Sequence, residues 1–282
     1  MYRLLMLFLL IASSEVVAEE RFANVQMKAL HIAGSVHMLE GAGGNIGVSV
    51  GVDGTLIVDD QYAPLADRIV AALGELGGDR PRLVLNTHYH GDHTGSNPDF
   101  GRTGTIISHE NVRVRLLDRE GFERSGLPVV TYSDRVNVHF NDEEIEVIHL
   151  PSGHTDGDSV VWFKTANVIH LGDHYFNGMF PYVDIDAGGN VDGFIRNLES
   201  VVAMVPGNTM IIPGHGPLSD IDRLSENIAV LKSSTAMIRE TLAAGQDIPE
   251  ISAALDGEYP GWGWRFITAE RWAKTIEKND AL

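Results

Sequence analysis

Cysteine is absent from the 282-residue chain. No thiolate is therefore available as a nucleophile or a metal ligand, and no disulfide can support the fold. Basic residues are also few: the chain has 21 Lys and Arg and 39 Asp and Glu, so its formal net charge is −18. A surface of that sign repels phosphate backbones, so the composition argues against a nucleic-acid partner. The hydrophobic content of 44% is that of a folded globular protein.

The N-terminus carries the apolar run "LLMLFLLIA", which follows Arg3 and is itself followed by the small residues "VVA". The run is too short to span a bilayer, and its basic start and small-residue end are typical of a signal peptide. We predict a signal peptide over residues 1–18, a periplasmic or secreted location, and a single domain over residues 19–282 without a membrane span. The alternative is an uncleaved anchor or a buried N-terminal helix.

The rest of the chain mixes strand and helix patterns. Asp53-Gly54 between two apolar runs indicates a β-hairpin. Helical spacing predicts helices near Pro64–Leu76, Val191–Val205 and Leu218–Ala244. Strand runs with few intervening helices predict an α/β fold, an αββα sandwich of two mixed β-sheets flanked by helices. The tail "GWGWRFITAERW" is expected to pack a last helix on the core, with an aromatic wall at a substrate cleft as the alternative.

Four separate apolar runs each end in a cluster of polar residues. The runs and clusters are "RLVLNTHYHGDH", "IEVIHLPSGHTDGD", "NVIHLGDH" and "MIIPGHG". Loops at the ends of strands are where a rigid sheet can hold distant residues at one point. The pattern therefore predicts one histidine-rich site built from several loops.

The first cluster is too crowded for one metal ion. His88 and His90 lie two residues apart, so an extended segment can direct both the same way. Gly91 lets the backbone turn, so Asp92 and His93 can face a neighbouring point. Two adjacent metals, roughly 3.5–4 Å apart, fit this arrangement better than one. The other three loops supply the remaining candidate ligands, which are His154, Asp173 and His215.

These motifs carry a family resemblance. "HYHGDH", "GHT", "LGD" and "PGHG", in this order, resemble the signature of the metallo-β-lactamase superfamily, with Asp59 of "LIVDD" as its first, structural aspartate. The resemblance implies the metallo-β-lactamase fold and two metal ions. It implies one metal held by His88, His90 and His154, a second held by Asp92, His93 and His215, and Asp173 as the bridge.

Two departures from the β-lactamases qualify this resemblance. Those enzymes often have a cysteine at the position of Asp173, whereas the aspartate is similar to glyoxalase II and lactonases. Many have a lysine, which holds the substrate carboxylate, where this chain has Phe176. Lys164 and Arg196 are the candidate substitutes, and a backbone amide is the alternative. The resemblance implies two zinc ions, although iron and manganese also accept nitrogen and carboxylate ligands. A redox di-iron role is disfavoured, since the flavodiiron relatives have glutamate at the position of His90.

The expected chemistry is hydrolysis. Two metals lower the pKa of a shared water and produce a bridging hydroxide, which Asp92 would orient. Asp92 or a metal-bound water would then protonate the leaving group. The loop after Asp173 is expected to form an apolar rim over the metals. The alternative is that the loop is a packed connection, which would still leave some aromatics on the rim. The candidate residues of this loop are His174, Tyr175, Phe176, Asn177, Phe180 and Tyr182.

The expected export favours a β-lactam substrate, because β-lactams act in the periplasm. The leading prediction is a periplasmic dinuclear-zinc hydrolase that opens a cyclic amide as β-lactamases do, with weak or broad activity expected. The alternative is a thioester or lactone hydrolase similar to glyoxalase II. A more distant alternative is a sulfur-relay or redox partner that does not hydrolyse β-lactams. The partner is expected to be a small acyl compound, and the sequence leaves the oligomeric state open.

Overall fold

The fold is known from a computed structural model that describes residues 21–282. Two mixed β-sheets pack face to face, and helices cover their outer faces, which confirms the predicted αββα sandwich. The predicted signal peptide over residues 1–18 lies outside the described residues, so its cleavage and the limits of the domain stay predictions. None of the helices within residues 21–282 is long and apolar enough to cross a membrane.

The first sheet has seven strands in chain order. Its first four strands pair antiparallel, and its last four pair parallel. Gly51 pairs with Gly54 in the register of the third and fourth strands, so the predicted turn at Asp53-Gly54 is confirmed. The strands of this sheet are β1 (Lys28–Ala33), β2 (Val36–Glu40), β3 (Ile46–Gly51), β4 (Gly54–Val58), β5 (Leu83–Leu85), β6 (Thr105–His109) and β7 (Val130–Tyr132).

The second sheet has six strands, in the order β13-β12-β11-β10-β9-β8. All neighbours pair antiparallel except β11 and β12, which are parallel. These strands are β8 (Arg135–Phe140), β9 (Glu143–His149), β10 (Ser159–Phe163), β11 (Val168–His170), β12 (Met210–Ile212) and β13 (Ser219–Asp220).

The helices begin and end close to the predicted residues, with local differences. The helix predicted from Pro64 starts as a 3-10 turn at Ala63–Leu65, and the one predicted from Leu218 starts at Ile221, because Ser219–Asp220 forms β13. A helix at Ile248–Glu258 was not predicted. The α-helices are α1 (Ala66–Glu75), α2 (Gly91–Thr94), α3 (Asn97–Phe100), α4 (Glu110–Asp118), α5 (Val191–Met204), α6 (Ile221–Ala243), α7 (Ile248–Glu258) and α8 (Ala269–Asp280).

The core has three layers that follow the two-residue alternation of the strands. In β4, Leu56 and Val58 face the second sheet, whereas Ile57 faces the outer layer with Ile69 of α1. The third layer lies between the second sheet and helices α5 to α8, and Trp272 is one of its largest buried side chains. The C-terminal helices are therefore part of the main fold.

The strand ends that carry the polar clusters lie on one edge of the sandwich. The parallel strands β4 and β5 end there in the first sheet, and β11 and β12 end there in the second. Two backbone hydrogen bonds join the sheets at this edge, from Ser159 N to Thr87 O (2.8 Å) and from Asn45 N to Gly214 O (2.7 Å). This edge therefore brings the loops of both sheets together.

Trp272 gives a test of the third layer. Its side chain is 1% exposed, its ring stacks on Phe180 at 5.8 Å, and its Nε1 donates to Ser234 Oγ. Trp272→Ala should lower the free energy of unfolding by about 3–5 kcal/mol through the cavity it leaves. Urea denaturation measures this loss. The control Leu117→Ala, at a half-exposed position, should cost less than about 0.5 kcal/mol, and equal losses would contradict the packing described.

Candidate metal centre

The seven candidate ligands come together at the shared edge in two adjacent groups. Within each group the ligand atoms lie within 4.8 Å of one another. The first group joins the "HYH" segment after β5, the loop between β9 and β10, and the 3-10 turn after β11. The second joins α2 to the loop after β12. The first group consists of His88, His90, His154 and Asp173, and the second of Asp92, His93 and His215.

Asp173 lies between the two groups and turns one oxygen to each. Its Oδ2 is 3.8 Å from His88 Nε2 and 3.6 Å from His154 Nε2. Its Oδ1 is 3.1 Å from His93 Nε2 and 3.3 Å from His215 Nε2. A carboxylate in this position can contact two cations at once.

Hydrogen bonds on the outer side fix which ring nitrogen of each histidine faces the centre. A carboxylate or a carbonyl oxygen only accepts, so the nitrogen that contacts it carries the proton. His90 Nε2 donates to Asp184 (3.0 Å), and His154 Nδ1 donates to the carbonyl of Tyr182 (2.6 Å). The unprotonated atoms that face the centre are therefore His90 Nδ1 and His154 Nε2.

Asp59 orients two further histidines from behind. It accepts from His93 Nδ1 (2.8 Å), from Thr87 N (2.8 Å) and from Thr87 Oγ1 (2.7 Å). Because the Thr87 hydroxyl proton is used in that bond, the 3.0 Å contact with His88 Nδ1 requires the imidazole to donate. Nε2 of His88 and of His93 is thus left as a lone pair directed to the centre. Asp59 also lies within 4.8 Å of both histidines, but its oxygens are occupied by these bonds.

The donor set fits divalent cations. Three buried atoms at the centre have no hydrogen-bond partner among the described residues: His88 Nε2, His93 Nε2 and Asp173 Oδ1. His90 Nδ1 and His154 Nε2 lie 2.9 Å apart, although both carry lone pairs under the assignment above. Such groups are costly unless a cation lies among them. Imidazole nitrogens with carboxylates suit zinc, iron or manganese.

Burial and neighbouring charge shift the pKa values of four of the candidate ligands. Burial, together with the neighbouring imidazole of His90, lowers the pKa of His154 to about 3. Burial and His93 also hold the pKa of His88 well below its ordinary value. Burial alone would raise the pKa of Asp173, but the adjacent His93 and His215 hold it well below the usual range. His88 and His154 are thus held in the neutral form and Asp173 in the ionised form that metals require. Burial alone would lower the pKa of His93, but the nearby carboxylates of Asp173 and Asp92 hold it well above its ordinary value, so His93 would release a proton on binding a cation.

A cavity of about 630 Å³ opens above the centre. Its floor contains side chains of both ligand groups, and its walls are largely aromatic. Residues from the N-terminal segment and from the segment before α8 complete the walls. The lining includes Phe22, Tyr62, His90, Asp92, Asp173, Phe176, Tyr182, His215, Trp264 and Phe266.

The loop after Asp173 contributes less to this wall than expected. Phe176 and Tyr182 line the cavity, but the other four candidates do not. The His174 ring is buried and stacks on Phe194, and the Phe180 ring is buried against Trp272. The remaining two form hydrogen bonds elsewhere: Tyr175 OH contacts Ser219 Oγ (2.8 Å), and Asn177 Nδ2 donates to the carbonyl of Pro217 (2.9 Å).

The expected six-residue rim is therefore corrected to a packed connection with two aromatics on the cavity. The physical reason is that the C-terminal helices cover this loop, which makes most of its side chains part of the third core layer. The two candidate substitutes for a carboxylate-binding lysine are also absent from the lining. Lys164 instead pairs with Glu144 and Glu146, each at 2.9 Å, and Arg196 lies on α5.

Asp184 is a functional residue that the sequence analysis did not identify. This residue accepts from Tyr89 OH (2.8 Å) as well as from His90. Burial alone would raise its pKa, but these two hydrogen bonds bring the pKa of Asp184 to about 2. Asp184 lies 94 residues from His90 in a loop without a ligand motif, so only the fold reveals the pair.

The C-terminal tail serves both roles considered for it. Trp272 and Trp262 pack with the buried third layer, as expected. Trp264 and Phe266 line the cavity, and the Trp264 ring lies 5.9 Å from the ring of His215. One part of "GWGWRFITAERW" thus packs on the core, and another part forms an aromatic wall of the cavity.

The αββα sandwich and the histidine-carboxylate centre at its edge define a metal-dependent hydrolase. The sequence model of the metallo-beta-lactamase superfamily matches residues 41–215, and the chain belongs to this superfamily. This match confirms the resemblance to the superfamily that the sequence motifs indicate.

Similar proteins include enzymes of two kinds. The chain is 31% identical over 153 residues to a hydroxyacylglutathione hydrolase of Rhodospirillum rubrum, an alignment that covers 54% of each protein. It is 21% identical over 180 residues to a metallo-beta-lactamase type 2 of Bacillus cereus, covering 64% of this chain and 69% of that protein. The alignment thus spans about half the length of the Rhodospirillum relative.

Solved structures show the same fold. A metallo-beta-lactamase from Pontibacter korlensis superposes with a TM-score of 0.64 at 16% identity, over 73% of this chain and 99% of that one. The DIM-1 metallo-beta-lactamase gives a TM-score of 0.64 at 16% identity, over 75% of this chain and 100% of that one. At this identity the likeness concerns the fold alone.

Gly44 gives a test of the second ligand group. A Cβ at this position would overlap the imidazole of His93, which hydrogen bonds to Asp59 hold in place. Gly44→Ala should therefore displace His93 and lower the metal content by about one ion per chain. Elemental analysis measures the content. The control Gly74→Ala on α1, where no heavy atom lies within 4 Å, should bind as wild type. Full metal content in Gly44→Ala would count against the assigned position of His93.

Asp184 gives a test of the outer hydrogen bonds. Asp184→Asn keeps the size of the side chain but can present an N–H to His90 Nε2, which would move the imidazole proton to the ligand atom. We expect the affinity for Zn²⁺ to fall about 10–100-fold in a chelator competition titration. The control is Asp186→Asn, at a side chain 82% exposed, which should change nothing. Unchanged affinity in Asp184→Asn would show that His90 does not depend on this bond.

Proposed function

We propose that this superfamily hydrolase is a dinuclear zinc enzyme. His88, His90 and His154 would hold one ion, Asp92, His93 and His215 the other, and Asp173 would bridge them. The observation that carries this proposal is the position of Asp173, whose two oxygens face different ligand groups at 3.1–3.8 Å. Zinc is proposed because imidazole-rich sets suit it, and iron or manganese would use the same donors.

The residues of the chain supply positioning and proton transfer. When bound, the two cations activate water for attack and polarise a substrate carbonyl. Asp92 borders the cavity with its side chain 23% exposed, and its Oδ2 is 3.5 Å from His215 Nε2. This carboxylate can orient a nucleophile and then carry a proton to the leaving group. The aromatic walls exclude water from the reacting atoms.

The proposed substrate is a cyclic amide of the β-lactam type. Three observations support it: the signal-peptide pattern of residues 1–18, the cavity of about 630 Å³ with an aromatic wall, and the likeness to proteins named metallo-beta-lactamases. A cavity of this size accommodates a drug-sized ring system. The same N-terminal pattern supports a periplasmic location, where such compounds act.

A second candidate is hydrolysis of a thioester, or of a lactone. It is favoured by the aspartate at position 173, as in the glyoxalase II relatives, and by the 31% identity to a hydroxyacylglutathione hydrolase. The centre itself would serve either reaction, since both need an activated water and a polarised carbonyl. The choice between them lies in the cavity walls.

A metal analysis and a substrate panel test this proposal together. Protein purified from the periplasm should hold about two metal ions per chain, and Asp173→Ala should lose metal together with more than about a hundredfold of its activity. The panel consists of a penicillin, a cephalosporin, a carbapenem, an acyl-homoserine lactone and a glutathione thioester, each with and without chelator. We expect chelator-sensitive opening of at least one β-lactam.

The outcomes separate the alternatives. The control Asp186→Ala, at an exposed carboxylate, should keep both metal and activity. Turnover of the thioester alone would replace the leading substrate by the second candidate. One metal ion per chain, retained in Asp173→Ala, would defeat the bridged centre itself.

A further inference from the structure

Arginines surround the mouth of the cavity in a strongly acidic chain. Arg21, Arg265 and Arg271 line it, and the acids in the lining are Asp92 and Asp173, which contact the histidines of the centre. In the part of the chain that the structure describes, none of the three guanidinium groups lies within 4.0 Å of a carboxylate. Positive charge at this mouth is thus available to a ligand.

Aromatic rings of the wall hold these arginines. The Arg271 guanidinium lies 5.7 Å from the Tyr182 ring centroid, and its Nη1 donates to the carbonyl of Phe266 (3.0 Å). The Arg265 guanidinium lies 5.5 Å from the ring of Phe266. An arginine over an aromatic face directs its N–H groups outward in the plane of the guanidinium, so those without another partner can bind an anion.

The same rings connect the arginines with the metal centre. The Tyr182 ring lies 5.6 Å from that of His90. On the other side, the Trp264 ring lies 5.9 Å from that of His215 and 5.2 Å from that of Phe266. The cavity therefore has a polar floor, an aromatic belt and a basic mouth. Its chemistry matches a molecule with a reactive carbonyl, an apolar body and a negatively charged end.

The basic mouth lies outside the part of the chain that the superfamily has in common. The family match covers residues 41–215, whereas Arg21, Arg265 and Arg271 all fall beyond it. The three arginines therefore belong to the segments on either side of the matched residues.

We propose that Arg265 and Arg271, assisted by Arg21, bind a carboxylate of the substrate and make this hydrolase selective for anionic acyl compounds. The inference rests on the proposed function of the centre and narrows it. Both β-lactams and glutathione thioesters carry a carboxylate, whereas an acyl-homoserine lactone carries none. The arginines would thus take the role of the lysine that Phe176 replaces.

A matched pair of substrates tests the proposal: a cephalosporin with its free carboxylate and the methyl ester of the same compound. In Arg265→Gln/Arg271→Gln, kcat/KM for the carboxylate should fall about 30–100-fold, mainly through KM, because two charge-assisted contacts are lost. The value for the ester should change less than about threefold. If the wild type hydrolyses only thioesters, a succinyl thioester and its methyl ester form the pair.

Two controls separate recognition from structure. Lys274→Gln removes one positive charge from α8 at a position outside the cavity lining and should leave both substrates unaffected. Arg265→Gln alone avoids the bond between Arg271 and Phe266, so it keeps the test valid if the double variant unfolds. An equal loss for the carboxylate and the ester, or no loss for either, would overturn the proposal.

Calorimetry separates this inference from the proposed function. The free carboxylate is titrated into chelator-treated wild type and into the arginine variant. Binding that depends on the arginines, without turnover by the metal-loaded wild type, would support the basic mouth and defeat the proposed hydrolysis. Turnover that does not depend on the arginines would support the hydrolysis and defeat the basic mouth.

Discussion

One carboxylate between two sets of imidazoles is the constraint on which the rest of the site depends. Asp173 can face both sets only if loops from two sheets approach within a few ångströms. Gly172 and Gly214 permit this approach: Gly172 has a φ of 51° and lies against Thr87, and a Cβ at Gly214 would overlap Asp173 Oδ1. The Gly214 N–H donates to the Gly172 carbonyl (2.8 Å) and holds the two loops together.

The fold and the clustering of the candidate ligands could be predicted because their signals are local in sequence. Each ligand cluster directly follows an apolar run, and the ends of such runs are where strands of a sandwich deliver side chains to a shared edge. Asp92 and His93 lie on the one-turn helix α2 rather than a loop, but Gly91 between them and His90 marks the change of direction in either case. The structure places His88 and His90 in one group of candidate ligands and Asp92 and His93 in the other, on either side of Gly91.

The parts that could not be predicted depend on distances in space. Asp184 has no distinguishing neighbour in sequence, and only the folded chain places it beside His90. Phe176 and Phe180 lie four residues apart in one loop, yet one lines the cavity and the other is buried under Trp272. Hydrophobicity is the same for both, so only the position of the C-terminal helices decides between them. The same holds for His174, whose partner Asn197 lies on α5.

The net charge of the chain and the arginines at the cavity have opposite effects on an anionic ligand. The net charge of −18 repels an anion at long range, but ions in solution screen that repulsion over about 8 Å at physiological ionic strength. Arg265 and Arg271 lie over aromatic rings beside the cavity and would act on an anion at contact distance. A carboxylate would thus be discriminated after it reaches the mouth, by the pairing it makes there. Selectivity for an anion would then reside in segments outside residues 41–215, whereas all seven candidate ligands lie within that range.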